Sequence, residues 1–274
     1  MVGIRINLKI VVLSILVTIL LYPKVFENLT EAGKNIFIIR KLSTAALPEV
    51  STKAGSGKTP VVFVFDDGWE SVYTEAYDVM NAYGYRGSIS IIPSLTGKKG
   101  YMSYRQLSEL YLQGWDLLNH SYSHIEMMYD SPDALLLDFT RSRQWMENRY
   151  LGKYSDMLIM PYGDINPHLI GQFKDAGYRN VRTSDNIILL DGYKTEYYPV
   201  SVINLLTDIT VEEVAGLLEQ RPEGNKPVIF ILHKIGDRDE GLGMTYSRDR
   251  FEQIIQLINK LCGQFEVITY SALF

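Results

Sequence analysis

A chain of 274 residues, 46% apolar and 22% charged, is long enough to bury the core of one large α/β domain and carries no compositional signature of disorder. Its net charge of -5, with lysine and arginine dispersed rather than clustered, offers no electrostatic footprint for a phosphate backbone and excludes nucleic acid as a partner. A single cysteine, Cys262, excludes an intramolecular disulfide and any cysteine-based zinc cage.

At the amino terminus Arg5 and Lys9 precede an apolar run over residues 10–22 broken only by Ser14 and Thr18, the basic-then-hydrophobic order of an export signal. As a helix that run spans about 20 Å, short of a hydrocarbon core of about 30 Å. No Ala-x-Ala site follows it. Residues 1–26 are expected to be a signal peptide or membrane anchor, in preference an uncleaved anchor, with the rest of the chain extracytoplasmic and membrane-anchored or secreted. Residues 27–58 read as a linker, with a short helix around 35–47 and then a stretch rich in Pro, Gly, Ser, Thr and Lys. There Gly55-Ser56-Gly57-Lys58-Thr59 imitates a phosphate-binding loop, but Thr52 stands where the first glycine belongs and no strand precedes it. No nucleotide site is expected.

A folded domain is placed at 59–274. Strands are predicted at 61–65, 88–92, 116–119, 157–160, 180–183, 198–202, 228–232 and 266–270. Helices are predicted at 71–83, 104–112, 133–150, 167–176, 211–218 and 248–261. This alternation argues for a parallel α/β sheet, closed or nearly closed into a barrel. Cys262 follows the apolar pattern Ile254, Ile255, Leu257, Ile258, Leu261 of the last helix and is read as core packing.

Four short clusters close strand-like runs in one order: Phe65-Asp66-Asp67-Gly68, His120-Ser121-Tyr122-Ser123-His124, Pro161-Tyr162-Gly163 and Leu232-His233. A parallel fold gathers its strand ends on one rim, so these distant side chains can converge. Asp66 and Asp67 are adjacent, and neighbours on a strand face opposite ways, so two different roles are more natural than a symmetric pair. Gly68 permits the sharp turn that lets one carboxylate reach a metal. Taken alone, the pair reads first as a helix cap. His120 and His124, spaced by four, place two imidazoles on one side of a turn, with donors that suit zinc. Pro161 lacks a donor and fixes the backbone, so the next amide can point into a site, although Pro-Tyr-Gly alone is an ordinary turn. His233 leaves a wholly apolar strand and is placed for proton transfer; the bland reading is a rim histidine facing water. His168, at a predicted helix start, is read as structural.

The clusters and their order resemble the NodB-homology polysaccharide deacetylases, carbohydrate esterase family 4, over roughly residues 59–274. The resemblance implies a distorted (β/α)7 barrel and metal-dependent hydrolysis of N-acetyl groups from an N-acetylglucosamine-containing polysaccharide, with release of acetate. It implies Asp66 as general base, Asp67, His120 and His124 as ligands of a divalent metal, zinc being the expected ion, the backbone N–H of Tyr162 as oxyanion donor, and His233 as general acid. Trp69, Tyr162 and Leu232 are the candidate substrate-binding residues, the aromatic ones because their faces pack on pyranose rings. The expected partner is an acetylated polysaccharide: poly-N-acetylglucosamine, peptidoglycan or a chitin-like polymer. The chain departs from the family pattern twice. Ile159 occupies the position of an arginine that orients the base, and Ser184-Asp185-Asn186 is only a faint echo of the family's Asp-Trp motif. Both losses are similar to the branch that trims poly-N-acetylglucosamine in biofilms, and they predict a weak base and a slow enzyme. The alternative is a catalytically weak or inactive barrel that binds carbohydrate outside the cell. An Fe(II) facial triad built on His124 and Glu126 is a third reading, disfavoured by the strand-helix alternation.

Overall fold

The computed structural model describes residues 38, 41–42, 57–125, 131–190, 196–220, 226–239 and 241–274. The chain divides into an amino-terminal unit, Met1–Ala45, and a larger unit, Ala46–Phe274. In the first, Ile38, Lys41 and Leu42 are helical. The expected leader at 1–26 and most of the linker at 27–58 lie outside the described residues. Among the described residues no helix is long and apolar enough to cross a membrane.

In the larger unit the central strand is β1 (Thr59–Phe65), which pairs in parallel with β2 (Ser88–Ile91) on one edge and β9 (Val228–Leu232) on the other. Beyond β2 follow β3 (Asp116–Asn119), β4 (Met157–Ile159) and β5 (Asn180–Arg182), all parallel; beyond β9 lies β8 (Ser201–Asn204), also parallel. Two further strands, β6 (Ile187–Leu189) and β7 (Glu196–Tyr198), extend the β5 edge as antiparallel neighbours. Short β10 (Lys234–Ile235) and β11 (Thr245–Tyr246) pair separately. The last strand, β12 (Phe265–Ile268), takes the first half of the β1 edge that β2 leaves open, Thr59 facing Phe265 and Val62 facing Ile268.

The expected distorted (β/α)7 barrel is thus, in its hydrogen bonds, a parallel-rich α/β sheet whose edge strands β7 and β8 share no ladder among the described residues. It nevertheless curls. Val62 and Val64 of β1, Ile159 of β4, Ile187 of β6 and Ile231 of β9 belong to one buried cluster, which strands that far apart in the sheet order reach only if one face wraps around a common core. Alternation sends Val61, Phe63 and Phe65 to the opposite face. There Phe63 stacks on Phe230, and Phe65 meets Trp115. Both phenylalanines also meet Phe251, on the helix Arg248–Lys260, edge-on.

The helices are α1 (Tyr77–Ala82, entered through a π turn at Val72–Ala76), α2 (Tyr104–Leu112), α3 (Pro132–Glu147), α4 (Pro167–Asp175), α5 (Val211–Glu219) and α6 (Arg248–Lys260). Local chemistry sets their starts. Ser103 and Gln106 form a reciprocal capping box on α2, and Thr210 and Glu213 do the same on α5. The apolar stripe Phe251, Ile254, Ile255 and Ile258 turns α6 toward the sheet. That helix ends at Lys260, so Cys262 falls past its inward stripe and is exposed, against the expectation of core packing.

The strand predicted at 198–202 is split: Tyr198 closes β7 and Ser201 opens β8. Pro199 lies between them and cannot donate to a ladder. At the amino-terminal ends of the strands, buried Asp116 accepts from the backbone N–H and hydroxyl of Ser271 at 2.7 and 3.0 Å, which ties the carboxyl-terminal turn Tyr270–Leu273 across that end. The carboxyl-terminal ends of the strands form the opposite rim.

Candidate metal centre and active site

Asp66 follows the last residue of β1, and its N–H still donates to the carbonyl of Leu232 on β9 at 2.8 Å. It therefore keeps the alternation of Val62 and Val64 and points to the inner face, only 4% exposed. A carboxylate so buried needs a compensating charge. Arg182, the last residue of β5, supplies it: Nη2 donates to both carboxylate oxygens at 2.7 and 2.5 Å, and Ser90 on β2 adds a hydroxyl at 2.7 Å. Burial pushes the Asp66 carboxyl up, but Arg182, then His120 and His233, outweigh it and hold it below its ordinary value.

Regular alternation would send Asp67 to the outer face. It does not, because Asp67 and Gly68 both adopt left-handed backbone, φ +72° and +76°. The reversed turn brings Asp67 back over the rim, where Oδ1 lies 3.3 Å from His120 Nε2 and 3.5 Å from His124 Nε2. Oδ2 accepts the indole N–H of Trp69 at 3.0 Å.

The loop carrying the two imidazoles is held by short polar side chains. Asn119, at the end of β3, accepts from Ser121 N–H at 3.1 Å, and the Ser121 hydroxyl accepts from His124 N–H at 3.0 Å. Asp138 on α3 accepts the N–H groups of Tyr122 and Ser123 and the Ser123 hydroxyl, each at 2.9 Å. Ser121 and His124 sit at φ +60° and +57°. Together with Asp67 and Tyr162 they account for four of the five non-glycine residues with positive φ among those described. Each such residue carries strain of about 1–2 kcal/mol that the surrounding hydrogen bonds must sustain.

The donor set suits a cation. His120 Nδ1 lies 2.8 Å from the carbonyl of Ile159, an acceptor only, so Nδ1 carries a proton. In the neutral ring Nε2 then turns a lone pair toward Asp67 Oδ1, a second acceptor, and the space between them calls for positive charge. Correspondingly, burial pushes His120 down, but Asp67, Asp66 and the Ile159 carbonyl raise it overall. His124 is pushed down to about 4, first by burial and then by His120. Asp67 is lowered in spite of burial, through its contact with His120. The ligating atoms of Asp67, His120 and His124 all lie within 4.8 Å of one another, spacing that a single tetrahedral ion can bridge.

Beside this trio, Pro161-Tyr162-Gly163 forms a tight turn after β4 with Tyr162 at φ +60° and its ring 4.7 Å from that of His124. Gly163, at φ +81°, has no room for a side chain: a Cβ there would lie 2.6 Å from Cβ of Ser184. Asp66, Asp67, His120, His124, Tyr162 and His233 line one cavity of about 280 Å³ with Arg182, Ile231, Asn204 and Met244. His233 Nδ1 is buried without a partner, whereas Asp185 accepts from the hydroxyl of Thr183 at 3.0 Å and lines a neighbouring cavity. Among the described residues, then, no carboxylate orients His233. His168 is exposed on α4, and Glu126 lies outside the described residues.

Two expected substrate-binding residues are placed differently. Leu232 is completely buried, because alternation along β9 gives it the outer face with Phe65, its ladder partner; Ile231, on the face of His233, lines the cavity instead. Trp69, half-buried and not among the residues lining that cavity, is stacked against Tyr101 at 4.3 Å with the Lys234 ammonium 4.1 Å from its ring. The residue that sequence reasoning missed is Arg182. Its signal was a guanidinium at the end of the predicted strand 180–183, where a charged side chain in a parallel fold points to the site rim. Asp66 therefore does have an arginine paired with it, contrary to the expectation drawn from Ile159.

Comparison with known proteins follows the same outline. The family model described as polysaccharide deacetylase matches residues 53–181, a little under half of the chain. YxkH of Bacillus subtilis (strain 168), which bears a provisional polysaccharide deacetylase name, is 24% identical over 119 residues. That match covers 43% of this chain and 42% of YxkH, so the chain spans less than half the length of this curated relative. Among solved structures, the peptidoglycan deacetylase PdaC from Bacillus subtilis superimposes with a TM-score of 0.55 at 16% identity, covering 80% of this chain and 91% of that one. A family 4 acetyl xylan esterase from Clostridium thermocellum, in complex with a cobalt ion, gives 0.52 at 18% identity, covering 78% and 90%. A family 4 carbohydrate esterase from Streptomyces lividans in complex with acetate gives 0.53 at 15%, covering 77% and 91%. At these identities the likeness establishes a shared α/β fold.

Proposed function

We propose that this chain, whose residues 53–181 carry the polysaccharide deacetylase pattern, is a metal-dependent N-deacetylase of N-acetylglucosamine-containing polysaccharide. The observation that carries the reading is the convergence of the Asp67, His120 and His124 ligand atoms beside an ion-paired Asp66 in one cavity. Zinc is the ion favoured by two imidazoles and one carboxylate. When bound, it supplies Lewis acidity that polarises the acetyl carbonyl and lowers the pKa of the attacking water toward roughly 7.

The chain's own groups do the rest. Asp66 removes a proton from water as the oxygen adds to the amide carbon, and Arg182 with Ser90 keeps its carboxylate ionised and aimed. The Tyr162 N–H, on a backbone already held at φ +60°, donates to the tetrahedral oxygen; loss of such a donor typically costs on the order of 3 kcal/mol of transition-state stabilisation. His233 gives a proton to the sugar nitrogen as the C–N bond breaks, leaving acetate and a free amine. Ile231 and Met244 offer the acetyl methyl an apolar wall of the cavity. Poly-N-acetylglucosamine, the polymer favoured by the sequence resemblance, is the preferred substrate with peptidoglycan as competitor, and the basic-then-apolar order at residues 5–22 supports a location outside the cytoplasm on a membrane anchor.

The unpartnered His233 Nδ1 favours a second reading, a weakly active barrel that chiefly binds saccharide. One experiment separates them. Metal-stripped protein is given acetylated oligosaccharides with zinc, cobalt or nickel restored, and acetate is measured alongside Asp66→Asn and His233→Ala. Metal-dependent release abolished by Asp66→Asn supports the deacetylase; saccharide binding without acetate under every ion supports the second reading.

A further inference from the structure

We propose that Trp69 is a positioning residue of the metal centre: its indole N–H occupies one oxygen of Asp67 and leaves the other, alone, to face the ion. The inference rests on the metal reading above. Asp67 Oδ1 is the oxygen near both imidazoles, at 3.3 and 3.5 Å, whereas Oδ2 accepts the Trp69 N–H at 3.0 Å. A carboxylate can bind an ion through one oxygen or both. A neutral donor fastened to one oxygen fixes which it is, as outer hydrogen bonds to metal ligands generally do.

The indole is itself immobilised. Its ring stacks on Tyr101 with 23° between planes and carries the Lys234 ammonium at 4.1 Å, a cation–π contact. Its backbone is bridged to Tyr101, with Glu70 N–H donating to Gly100 at 2.9 Å and Met102 N–H to Gly68 at 3.0 Å. Asp67, on a reversed turn with no other side-chain hydrogen-bond donor to Oδ2 among the described residues, takes its carboxylate plane from this fixed N–H. The consequence is a set of three protein donor atoms, which leaves coordination positions open for water and substrate, as a catalytic site requires.

Trp69→Phe keeps a stacking ring and removes the donor. Metal-stripped wild type and variant are titrated with zinc against a chromophoric chelator and with cobalt(II) by visible absorption, and apo-protein melting is recorded. The expected result is a loss of roughly 10–100-fold in zinc affinity, an unchanged apo melting temperature, and a weaker cobalt band as Oδ2 joins the coordination. Trp69→His carries Nε2 at the ring position of indole Nε1, and it should recover most of the affinity; it also serves if the phenylalanine variant does not fold. Equal zinc affinity and identical cobalt bands in wild type and Trp69→Phe overturn the proposal, and so does a histidine variant as weak as the phenylalanine one. A wild-type protein that binds neither ion defeats the metal reading itself, and this inference with it.

Discussion

Replacing Arg182 by methionine tests the electrostatic core of the site. The guanidinium is 2% exposed and meets an Asp66 side chain that is 6% exposed, so solvent screens the pair little. Methionine fills much of the same volume but leaves Asp66 with only the Ser90 hydroxyl as donor. Breaking a buried pair in this way typically costs about 3–5 kcal/mol, because a charge stays buried without compensation. For a domain of this size that is roughly 10 °C in melting temperature. The sign with pH follows from the direction of the shift. In the wild type the Asp66 carboxyl is held low, so its pairing stabilises above the unfolded pKa and that contribution fades as pH falls through the folded value. In Arg182→Met burial dominates and the folded pKa rises; stability is then lost as pH climbs from about 4 upward, and the difference between the two proteins widens toward pH 8. Activity reports the same change, since a protonated Asp66 cannot accept a proton. The acid limb of the rate profile should move up by at least about one unit, roughly tenfold in rate below it. Urea unfolding at pH 5 and pH 8 and acetate release over the same range measure both effects. Asp66→Asn/Arg182→Met should recover stability to within about 1 kcal/mol of wild type. Superimposable acid limbs, or a stability loss that does not grow with pH, would refute the reasoning.

Other expectations address different parts of the molecule. Asp116 is raised from 3.8 to about 6 by burial, against the Ser271 hydrogen bonds that lower it. Its neutral form is thus the one the fold favours: stability from this group is present below about pH 4 and lost as pH rises to 6, about 3 kcal/mol for two units. Asp116→Asn should flatten the pH dependence of unfolding over that window, and an unchanged slope would contradict it. Leu232→Ala should lose about 2–5 kcal/mol while its KM for acetylated oligosaccharide stays near wild type, whereas Ile231→Val should cost about 1 kcal/mol and raise KM. A Leu232 variant with the larger KM change would mean the strand faces are assigned wrongly. Gly163→Ala must fit a methyl 2.6 Å from Ser184 Cβ at a positive φ, so we expect about 2–5 kcal/mol lost by thermal melting, with turnover falling as the Tyr162 N–H shifts.

Much of the architecture was legible because its causes are local. Helix α2 occupies Tyr104–Leu112 as predicted, since the Ser103–Gln106 box and the buried Leu107, Leu110 and Tyr111 lie within one short window. Seven of the eight expected strands appear near their predicted places, the buried ones because a strand covered on both faces reads as a continuous apolar run, and the eighth, 198–202, is split between β7 and β8. The β6–β7 hairpin was not foreseen, since three-residue strands are too short to show a period and Pro199 blurred the boundary with β8. Leu232 could have been placed correctly by counting back from His233, since alternation assigns the cavity face to Ile231.

The sequence by itself determined which groups are available and where they stand on the chain: carboxylates, imidazoles and a turn at strand ends, all delivered to one rim by parallel pairing. Only the tertiary structure decided which charge answers which. Arg182 neutralises Asp66 across 116 positions, Trp69 claims one oxygen of Asp67, and Asp185 turns away from His233. Periodicity and propensity act within a few residues along the chain, but a buried charge responds to whatever lies within a few ångströms through space. That neighbourhood exists only once the strands have aligned and the sheet has curled.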